Sequence, residues 1–337
     1  MAPAQPSSVH RFDMHHLTAA DLAAIYEVRH ACHRAAAPDE PFPTLADWAA
    51  LVTTSPPGVA RWHWLTDHGY AGLTRAYASA RGRIEVCVSP PARRNGIGRA
   101  LLTEVTTAAR SLGCETIIGR VGDRAGAAFA TASGAVAGHS QSRSMLTLPV
   151  AEPIAAVPGY TLMTWTDAAP DWLLDSYAVA RTAINDAPRS DAIPPEIWSP
   201  RRVRDMEQTA AARGRTAMVT VAMADFEVAA FTELRVSPDS GAIASTEDTA
   251  VLPGHRGRGL ATWIKAESLA LLRRVRPDVT RVVTTNDTAN TAMLKINRRL
   301  GFVSVGTWTD MILIVGTALG PAGRGGRRRV PRQRGGK

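Results

Sequence analysis

Two short segments of the sequence place arginine and glycine where an alternating strand pattern gives way to a helical one. The first reads PARRNGIG over residues 91–98, and the second reads GHRGRGLA over residues 254–261. At the start of a helix the first backbone N–H groups have no partners within the helix, and the helix dipole is positive there. Glycine lets the backbone approach a ligand closely, and arginine adds positive charge. The chemistry predicted for both segments is pyrophosphate binding at a helix N-terminus.

The two segments belong to an internal repeat. Three positions match at a constant separation of 163 residues, namely Pro90 with Pro253, Arg93 with Arg256, and Gly96 with Gly259. Downstream, residues 130–138 correspond to residues 297–306 at a slightly larger separation. A single copy would be weak evidence in a chain rich in Arg, Gly and Ala, because a basic helix start on the surface also fits. Two copies in one register favour the functional interpretation.

The repeat divides the chain into two similar units. Residues 150–159 form a Pro/Ala stretch without periodicity, which is typical of a linker. We therefore predict an N-terminal domain over residues 1–149, a linker over 150–159, a C-terminal domain over 160–319 and a basic tail over 320–337. A chain of 337 residues is long enough for two domains.

Apolar periodicity predicts the elements that hold these segments. In the first unit it predicts helices at 19–36 and 95–112 and strands near 60–66, 70–79, 83–89 and 115–121. In the second it predicts helices at 170–184, 200–213, 258–274 and 288–300, and strands at 160–166, 215–224, 226–236, 243–252, 280–285, 302–306 and 308–315. Several consecutive strands with few crossover helices indicate an α/β (α+β) class rather than the regular βαβ alternation of a Rossmann domain.

The charge of the chain is concentrated in its tail. The formal net charge is +9, but residues 320–337 hold seven Arg or Lys and no acid, which leaves +2 for residues 1–319. The Gly/Pro/Arg tail is predicted to be disordered. Nucleic-acid association through the tail stays an alternative, and it would be salt-sensitive and blind to sequence. The composition, 45% hydrophobic and 20% charged, excludes disordered, collagen-like and disulfide-scaffold classes for the whole chain.

Cysteine spacing and hydropathy narrow the class of protein further. Cys32, Cys87 and Cys114 are scattered, without a CxxC pair or a His cluster at metal spacing, so we expect reduced thiols and no metal site. The N-terminus lacks the features of a signal peptide, and no run of about 18 apolar residues occurs. A cytoplasmic location and no membrane partner are expected.

The second copy resembles a known family. The segments TAVLPGHRGRGLATWIKAE (249–267) and TTNDTANTAMLKINRRLGF (284–302) resemble the acetyl-CoA signature of the GNAT superfamily of N-acetyltransferases, and the likeness extends over residues 243–306. It is most similar to bacterial proteins with two such domains in tandem, and AINDAP (183–188) resembles that subgroup as well. In the first copy, VSPPARRNGIGRALL (88–102) matches the loop well and the later signature poorly.

The resemblance implies a fold and a cofactor. Each of two tandem GNAT-like domains would be a bent, mixed, largely antiparallel sheet flanked by helices and splayed between its fourth and fifth strands, forming an intrachain pseudo-dimer. Acetyl-CoA or CoA would lie in that notch, and Asn290 would contact its pantetheine arm or cap the helix instead. The implied cofactor residues are Val251, Leu252, Arg256, Gly257, Arg258, Gly259, Leu260, Ala261, Asn286 and Asn290 in the second copy, and Arg93, Arg94, Asn95, Gly96, Ile97 and Gly98 in the first.

Three carboxylates are candidates for the base that would take a proton from an amine. Asp248 and Glu247 precede the second loop on its strand, and Glu233 lies on the neighbouring strand. Strand alternation places Glu247 and Asp248 on opposite faces, so only one of them is expected at the cleft. Glu85 matches Asp248 in the first copy. A backbone N–H near Leu252 is the expected oxyanion donor. A merely solvated or strand-paired carboxylate stays an alternative for each.

The family's usual general acid is absent from both copies. The resemblance places a Tyr four residues before the glycine that ends the fourth helix, where this chain has Asn297 and Ala130. Neither side chain can donate a useful proton. A thiol with a pKa of about 8.5 can leave with little help near neutral pH, so the absence does not exclude transfer. The first copy also has Gly119 and Asp123 where the second has Asn286 and Asn290, which favours the second domain as the catalytic one.

The acceptor is expected over the first two helices of the second domain. The candidate contacts are Tyr177, Arg181, Asn185, Asp186 and Trp198. Arginine could select an acceptor that bears a carboxylate, phosphate or phosphonate. The run RRVR at 201–204 is better explained as a solvated basic helix face, so Arg181 and Asp186 are the better candidates.

These patterns support three hypotheses. The first is an acetyl-CoA-dependent N-acetyltransferase acting on a small amine of amino-sugar, amino-acid or aminophosphonate type, as in antibiotic biosynthesis, with the N-terminal domain as an alternative catalytic unit. The second is a CoA-binding sensor or scaffold without turnover. The third is nucleic-acid association through the tail. The oligomeric state stays open.

Overall fold

The structure is a computed structural model that describes residues 9–13, 17–38, 42–53, 58–76, 79–149, 154–188, 196–212, 214–237 and 242–316. The predicted basic tail lies outside these residues. Twelve strands of the described chain form a single sheet. They are β1 (His10–Asp13), β2 (Val59–Thr66), β3 (Gly69–Ala76), β4 (Arg81–Val88), β5 (Thr116–Val121), β6 (Val136–Thr147), β7 (Thr161–Thr166), β8 (Thr216–Ala224), β9 (Glu227–Val236), β10 (Ile243–Val251), β11 (Arg281–Asp287) and β12 (Val303–Ile314).

The helices follow the repeated order that the sequence indicates. They are α1 (Ala19–Ala36), α2 (Leu45–Thr53), α3 (Ile97–Ser111), α4 (Arg124–Ala132), α5 (Leu174–Thr182), α6 (Pro200–Ala212), α7 (Leu260–Val275) and α8 (Thr291–Arg299). None of the described helices is long and apolar enough to cross a membrane. The strands pair antiparallel except for β4 with β5 and β10 with β11. The predicted mixed, largely antiparallel α/β fold with two similar halves is confirmed.

The sheet is covered on both faces in the second half. Val219 and Val221 of β8 pack in one core cluster with residues of α5 and α6, whereas Ala222 packs in another with residues of α7. Because neighbouring residues of a strand point to opposite faces, α7 lies on the face opposite to α5 and α6. Helix α5 therefore lies on one face of the sheet near β10, and the start of α7 lies on the opposite face.

The last strands of the two halves are exchanged, which the sequence did not predict. The sheet order β4-β5-β12-β6-β11-β10 places β12 beside β5 and β6 beside β11, all antiparallel. The two strands predicted at 302–306 and 308–315 are wrong, since residues 303–314 form one strand that joins the two halves. Asp310 of β12 accepts a hydrogen bond from Arg120 of β5 at 2.9 Å and is buried. Each half is therefore completed by a strand of the other.

The exchanged strands predict how the two halves of the chain behave when they are produced as separate fragments. If the chain is cut between residues 152 and 153, each fragment leaves an interior strand edge unpaired, and exposed edges favour association. We expect neither fragment to be a folded monomer alone and the two to copurify as an equimolar complex when co-expressed. Size-exclusion chromatography with mass measurement tests this. Recovery of each fragment as a folded, non-associating monomer would contradict the exchanged pairing.

The parallel strand pairs separate before they end, which creates a notch in each half. Pairing of β10 with β11 stops at Ser245 opposite Val283, and pairing of β4 with β5 stops at Ile84 opposite Gly119. We call the space between residues 246–251 and 284–287 the C-terminal notch, and the space between residues 85–88 and 120–121 the N-terminal notch. The splay between fourth and fifth strands that the resemblance implies is thus present twice.

Candidate active site

The two arginine–glycine segments form matching loops at the mouths of the notches. A left-handed residue, Gly259 with φ of 86° or Gly96 with φ of 81°, immediately precedes α7 or α3. Two residues earlier, Gly257 with φ of 75° corresponds to Arg94 with φ of 70°, so the loops share a backbone conformation that costs a non-glycine residue about 1 to 2 kcal/mol. A Cβ at Gly259 would meet no atom within 4 Å. Conformation and open space therefore explain this glycine, and packing does not.

The first amides of α3 and α7 are left without side-chain partners in the described chain. Neither helix has a side-chain cap hydrogen bond. By contrast, the side chains of Thr18, Asp123 and Asn290 cap α1, α4 and α8. Uncapped amides at a helix start form an anion site with the positive end of the helix dipole. This geometry fits the pyrophosphate of a CoA-type ligand at both notches.

One arginine in each loop also fixes the loop to the sheet. Arg256 Nε donates to the Val251 carbonyl at 3.0 Å, and Arg93 Nε donates to the Val88 carbonyl at 3.1 Å. Arg256 Nη2 further donates to Asp186 Oδ2 at 2.6 Å. Residues predicted for different subsites, the cofactor loop and the acceptor region, are thus in direct contact.

The backbone of β10 presents the amide of Val251 to the C-terminal notch. Leu252 N–H donates to the Ala229 carbonyl at 2.9 Å, so this amide itself is not free to be an oxyanion donor. Because N–H directions alternate along an antiparallel strand, the amide of Val251 points away from β9 and toward the notch. The same pattern recurs at Ser89, whose N–H donates to the His68 carbonyl at 2.9 Å.

A bulge in β10 brings the candidate carboxylates together. The register of β10 against β9 shifts between Thr246 and Thr249, which interrupts the strict alternation assumed from sequence. A cavity of about 250 Å³ opens at the notch. Its lining residues are Ser245, Thr246, Glu247, Asp248, Val283, Thr284 and Thr285. The prediction that only one of Glu247 and Asp248 lies at the cleft is therefore wrong.

A buried arginine from α5 organises the carboxylates behind this cavity. Arg181 Nη1 donates to Glu233 Oε2 at 2.9 Å, and Nη2 donates to Asp248 Oδ2 at 2.8 Å. Its Cζ lies 3.9 Å from the ring centroid of Trp198. The side chains of Arg181 and Glu233 are 2% and 1% exposed, whereas that of Asp248 is 37% exposed. Arg235 donates to Glu233 Oε1 at 2.6 Å. Of the two carboxylates bound by Arg181, only Asp248 is open to a ligand.

Comparisons with known proteins agree with this geometry. The family model described as "Acetyltransferase (GNAT) family" matches residues 22–131 and 177–302. The chain belongs to the GNAT acetyltransferase family. It is an N-acetyltransferase with two GNAT segments in tandem, and the predicted family and class of enzyme are confirmed.

Solved structures share the arrangement of this N-acetyltransferase. A tandem GNAT protein from the clavulanic acid biosynthesis pathway aligns with a TM-score of 0.74 and 26% identity over 92% of this chain and 100% of that one. A GCN5-related N-acetyltransferase from Sphaerobacter thermophilus aligns with a TM-score of 0.70 and 17% identity, over 92% and 97% of the chains. A search of curated proteins found no match.

The environment of Asp248 in this N-acetyltransferase raises the pKa of its carboxyl group. Burial is the largest cause, the charge of Arg181 opposes it, and the neighbouring carboxylates of Glu233, Glu196 and Glu247 raise it further. Glu247 is exposed and accepts a hydrogen bond from Ser245 Oγ at 2.5 Å. The three predicted bases therefore occupy three different environments.

The acceptor-side residues are largely engaged with the protein. Tyr177 is buried, and its hydroxyl accepts from Arg181 at 2.9 Å. Asn185 holds the backbone of Glu196 through both ends of its amide, each at 2.8 Å. Because the Arg181 guanidinium is buried and neutralised by two carboxylates, the reason for expecting it to bind an acidic acceptor is removed. In the run at 201–204, Arg204 binds Asp171 and Glu207 at 2.5 and 2.6 Å.

The position of the family's tyrosine is occupied by a buried amide. Asn297 is 1% exposed and donates from Nδ2 to Asn286 Oδ1 at 2.6 Å. Asn290 Oδ1 accepts from Met293 N–H at 3.1 Å and caps α8, as one of its two predicted roles requires. Asn286 and Asn297 thus join the end of β11 to α8 beside the C-terminal notch. Neither amide can act as a general acid.

The N-terminal half repeats part of this site; the sequence matched Glu85 with Asp248 but did not indicate Arg29 as its partner. Arg29 of α1 donates to Glu85 Oε1 at 2.8 Å, and its Cζ lies 5.3 Å from the Trp48 ring centroid. Arg29 and Glu85 therefore correspond to Arg181 and Asp248. A signal was available, since an arginine lies on the first helix of each copy and a tryptophan follows it. This pair has no second carboxylate equivalent to Glu233 within the described residues.

Proposed function

We propose that the C-terminal half transfers acetyl from acetyl-CoA to the primary amine of a small molecule by direct transfer. The observation that carries the proposal is the position of Asp248, a half-exposed carboxylate that lines the C-terminal notch beside an uncapped helix start. Residues 256–261 would hold the pyrophosphate, Val251 and Leu252 would border the pantetheine, and Asn286 and Asn290 would support the notch wall. Acetyl-CoA supplies an acetyl group activated as a thioester.

The roles of the chain's own groups follow from their environments. Asp248 accepts the ammonium proton, directly or through water, because it is the carboxylate bound by Arg181 that reaches the cavity. Arg181 positions Asp248 by a hydrogen bond, Glu233 holds Arg181 in place by another, and both Arg181 and Glu233 stay buried. The Val251 N–H donates to the oxygen that gains negative charge. Asn297 cannot protonate the departing thiol, so this group leaves as the thiolate.

The acceptor is proposed to be a small amine of secondary metabolism. The tandem GNAT protein of the clavulanic acid pathway, at 26% identity, supports this class. Asp186, Trp198, Asn185 and Tyr177 would shape the acceptor side, with Tyr177 acting through its contact with Arg181. We propose a cytoplasmic location and no specific nucleic-acid partner, because the charge excess lies in residues 320–337 and binding through such a tail would be blind to sequence.

An amine panel tests the proposal. The full chain is incubated with acetyl-CoA and amino sugars, amino acids, aminophosphonates and diamines while free thiol is measured. Release of CoA that depends on one class of amine, with an acetylated product detected by mass, is the expected result. If calorimetry shows CoA binding but no amine causes release of free CoA, the second candidate, a CoA-binding sensor, is favoured. The observation that supports this candidate is the buried amide of Asn297 at the position of the family's tyrosine.

Blocking each loop separately assigns catalysis to one half. Gly259→Glu places a carboxylate in open space at the α7 start, where it repels the pyrophosphate and occupies a left-handed backbone position. We expect the Kd for CoA at the C-terminal notch to rise by about tenfold or more, because at least one charge-assisted hydrogen bond to the ligand is lost. Turnover should fall with CoA binding. Gly96→Glu is the matched control and should keep turnover. The reverse pattern would assign catalysis to the N-terminal half.

A further inference from the structure

Two thiols lie at the N-terminal notch and have no part in the proposed amine chemistry. Cys32 of α1 donates from Sγ to the Val88 carbonyl at 3.2 Å, and Cys87 of β4 donates from Sγ to Glu85 Oε1 at 3.5 Å. Cys87 packs against the buried cluster that contains Ile25 and Val28 of α1, and Cys32 of α1 contacts Val88, the residue after Cys87, so both thiols lie between α1 and β4. Both are half-buried, whereas Cys114 is 0% exposed. The notch therefore holds a pair of adjacent, accessible thiols.

The repeat shows what these positions contain when no thiol chemistry is involved. Cys87 corresponds to Ala250, which lies 163 residues later. If Arg29 and Arg181 are aligned, Cys32 corresponds to Ile184. Ile184 packs against the buried cluster that contains Ala250. An apolar pair thus fills the equivalent space in the C-terminal half, so packing alone does not require two cysteines in the N-terminal half.

The charges around the pair distinguish the two thiols. The pKa of Cys32 is lowered to about 7, first by the neighbouring Cys87 side chain and then by the side chain and charge of Arg93, against the effect of burial. The neighbouring Cys32 side chain and burial raise the pKa of Cys87; the charge of Glu85 raises it further, and the charge of Arg29 opposes this. Cys32 is therefore the thiol that ionises first, and Cys87 keeps its proton.

The location of Cys32 indicates what it meets. Val88, which accepts its hydrogen bond, corresponds to Val251 at the C-terminal notch, and Arg93 belongs to the N-terminal pyrophosphate loop. We propose that the N-terminal half carries out thiol–disulfide exchange with a coenzyme A-type disulfide held at this loop, with Cys32 as the attacking thiolate and Cys87 as the resolving thiol. This rests on CoA binding at the N-terminal loop and is independent of acetyl transfer.

The exchange is balanced without any other oxidant. The Cys32 thiol gives its proton to solvent, and the thiolate attacks one sulfur of the CoA disulfide. A mixed disulfide forms, and the first CoA leaves as a thiolate that takes up a proton from solvent. Cys87 then gives its proton to Glu85, attacks the Cys32 sulfur and forms the Cys32–Cys87 disulfide. The second CoA leaves as a thiolate and takes up the proton. The protein loses two hydrogen atoms, and one CoA disulfide becomes two CoA thiols.

Intact mass and thiol release test the assignment of the thiols. Reduced full-length protein is treated with CoA disulfide, and CoA thiol is measured by chromatography. We expect two CoA thiols per chain, a mass lower by two hydrogen atoms, a peptide linking Cys32 to Cys87, and reduced Cys114. Cys87→Ser should stop at a mixed disulfide on Cys32, and Cys32→Ser should form neither product. No linked peptide in the wild-type protein, or modification of Cys114 instead, would overturn the proposal.

Recognition of the nucleotide is tested with a disulfide that lacks it. Glutathione disulfide has no pyrophosphate, so its exchange should be at least about tenfold slower than that of CoA disulfide. This factor corresponds to the loss of one charge-assisted hydrogen bond. Gly96→Glu should remove this preference, and Gly259→Glu should leave it unchanged. Equal rates for the two disulfides would overturn the assignment of the ligand. Because no acetyl group takes part, loss of this exchange and failure of amine acetylation are separate results.

Discussion

Asp248→Asn is expected to lower kcat/KM for amine acetylation by about 10² to 10⁴-fold, the usual contribution of a general base. The asparagine oxygen can still accept the hydrogen bond from Arg181, which in the native protein is 2.8 Å from Asp248 Oδ2. The fold and the cavity should therefore persist while the proton acceptor is lost. Steady-state kinetics with the acceptor found in the amine panel, alongside thermal unfolding, measures the two effects separately.

Glu85→Gln is the matched control, because Glu85 occupies the equivalent position at the N-terminal notch. Its turnover should stay near that of the native enzyme. In the native enzyme the acid limb of the pH profile should have a midpoint above the ordinary pKa of aspartate, since burial raises the pKa of Asp248 and the base acts only when deprotonated. Activity thus rises as pH increases through that midpoint. An Asp248→Asn enzyme with native kcat/KM, or a drop confined to Glu85→Gln, would contradict the assignment of the base.

Glu233→Gln is expected to cause the largest loss of stability, about 3 to 5 kcal/mol in the free energy of unfolding. Both carboxylate oxygens of Glu233 accept from guanidinium groups, from Arg181 at 2.9 Å and from Arg235 at 2.6 Å. Glutamine replaces one oxygen by an NH₂ group, which then faces a buried donor. Urea unfolding of the two proteins under identical conditions gives the difference.

Glu196→Gln supplies the comparison for stability. Glu196 pairs with Arg202 at 3.0 Å, but the two side chains are 39% and 45% exposed. Solvent screens such a pair, so its loss should change the free energy of unfolding by less than about 1 kcal/mol. Similar values for the two substitutions would mean that burial does not determine the contribution of the Arg181 cluster.

The parts of the site that could be predicted from sequence depend on local backbone geometry. The loop before α7 was found because glycine is required at left-handed positions such as Gly259 and because a strand and a helix flank it. The bounds of α1 were predicted to the residue, since its capping Thr18 and its periodicity are local signals. α4 was missed because its small residues, in the segment RAGAAFATA, give little apolar contrast between faces.

The parts that could not be predicted depend on contacts between distant residues. Arg181 meets Glu233 and Asp248 across 52 and 67 residues of sequence, and no spacing rule places them together. The prediction that only one of Glu247 and Asp248 lies at the cleft failed because β10 has a bulge between Thr246 and Thr249. A bulge in a polar segment does not change the hydrophobic pattern, so the sequence did not indicate it. The exchange of β6 and β12 was also invisible, since the strand pattern of residues 303–314 is the same whichever strand pairs with it.

The exchanged strands have a consequence for how the protein is made. A ribosome releases the N-terminal half first, but β5 and β6 lack their shared neighbour until residues 303–314 have been synthesised. Tandem domains ordinarily fold one after the other as they emerge. Here the sheet of the first half cannot be completed before residues 303–314 are synthesised, so a nascent chain stalled earlier in the second half would expose an unpaired sheet edge to chaperones and proteases.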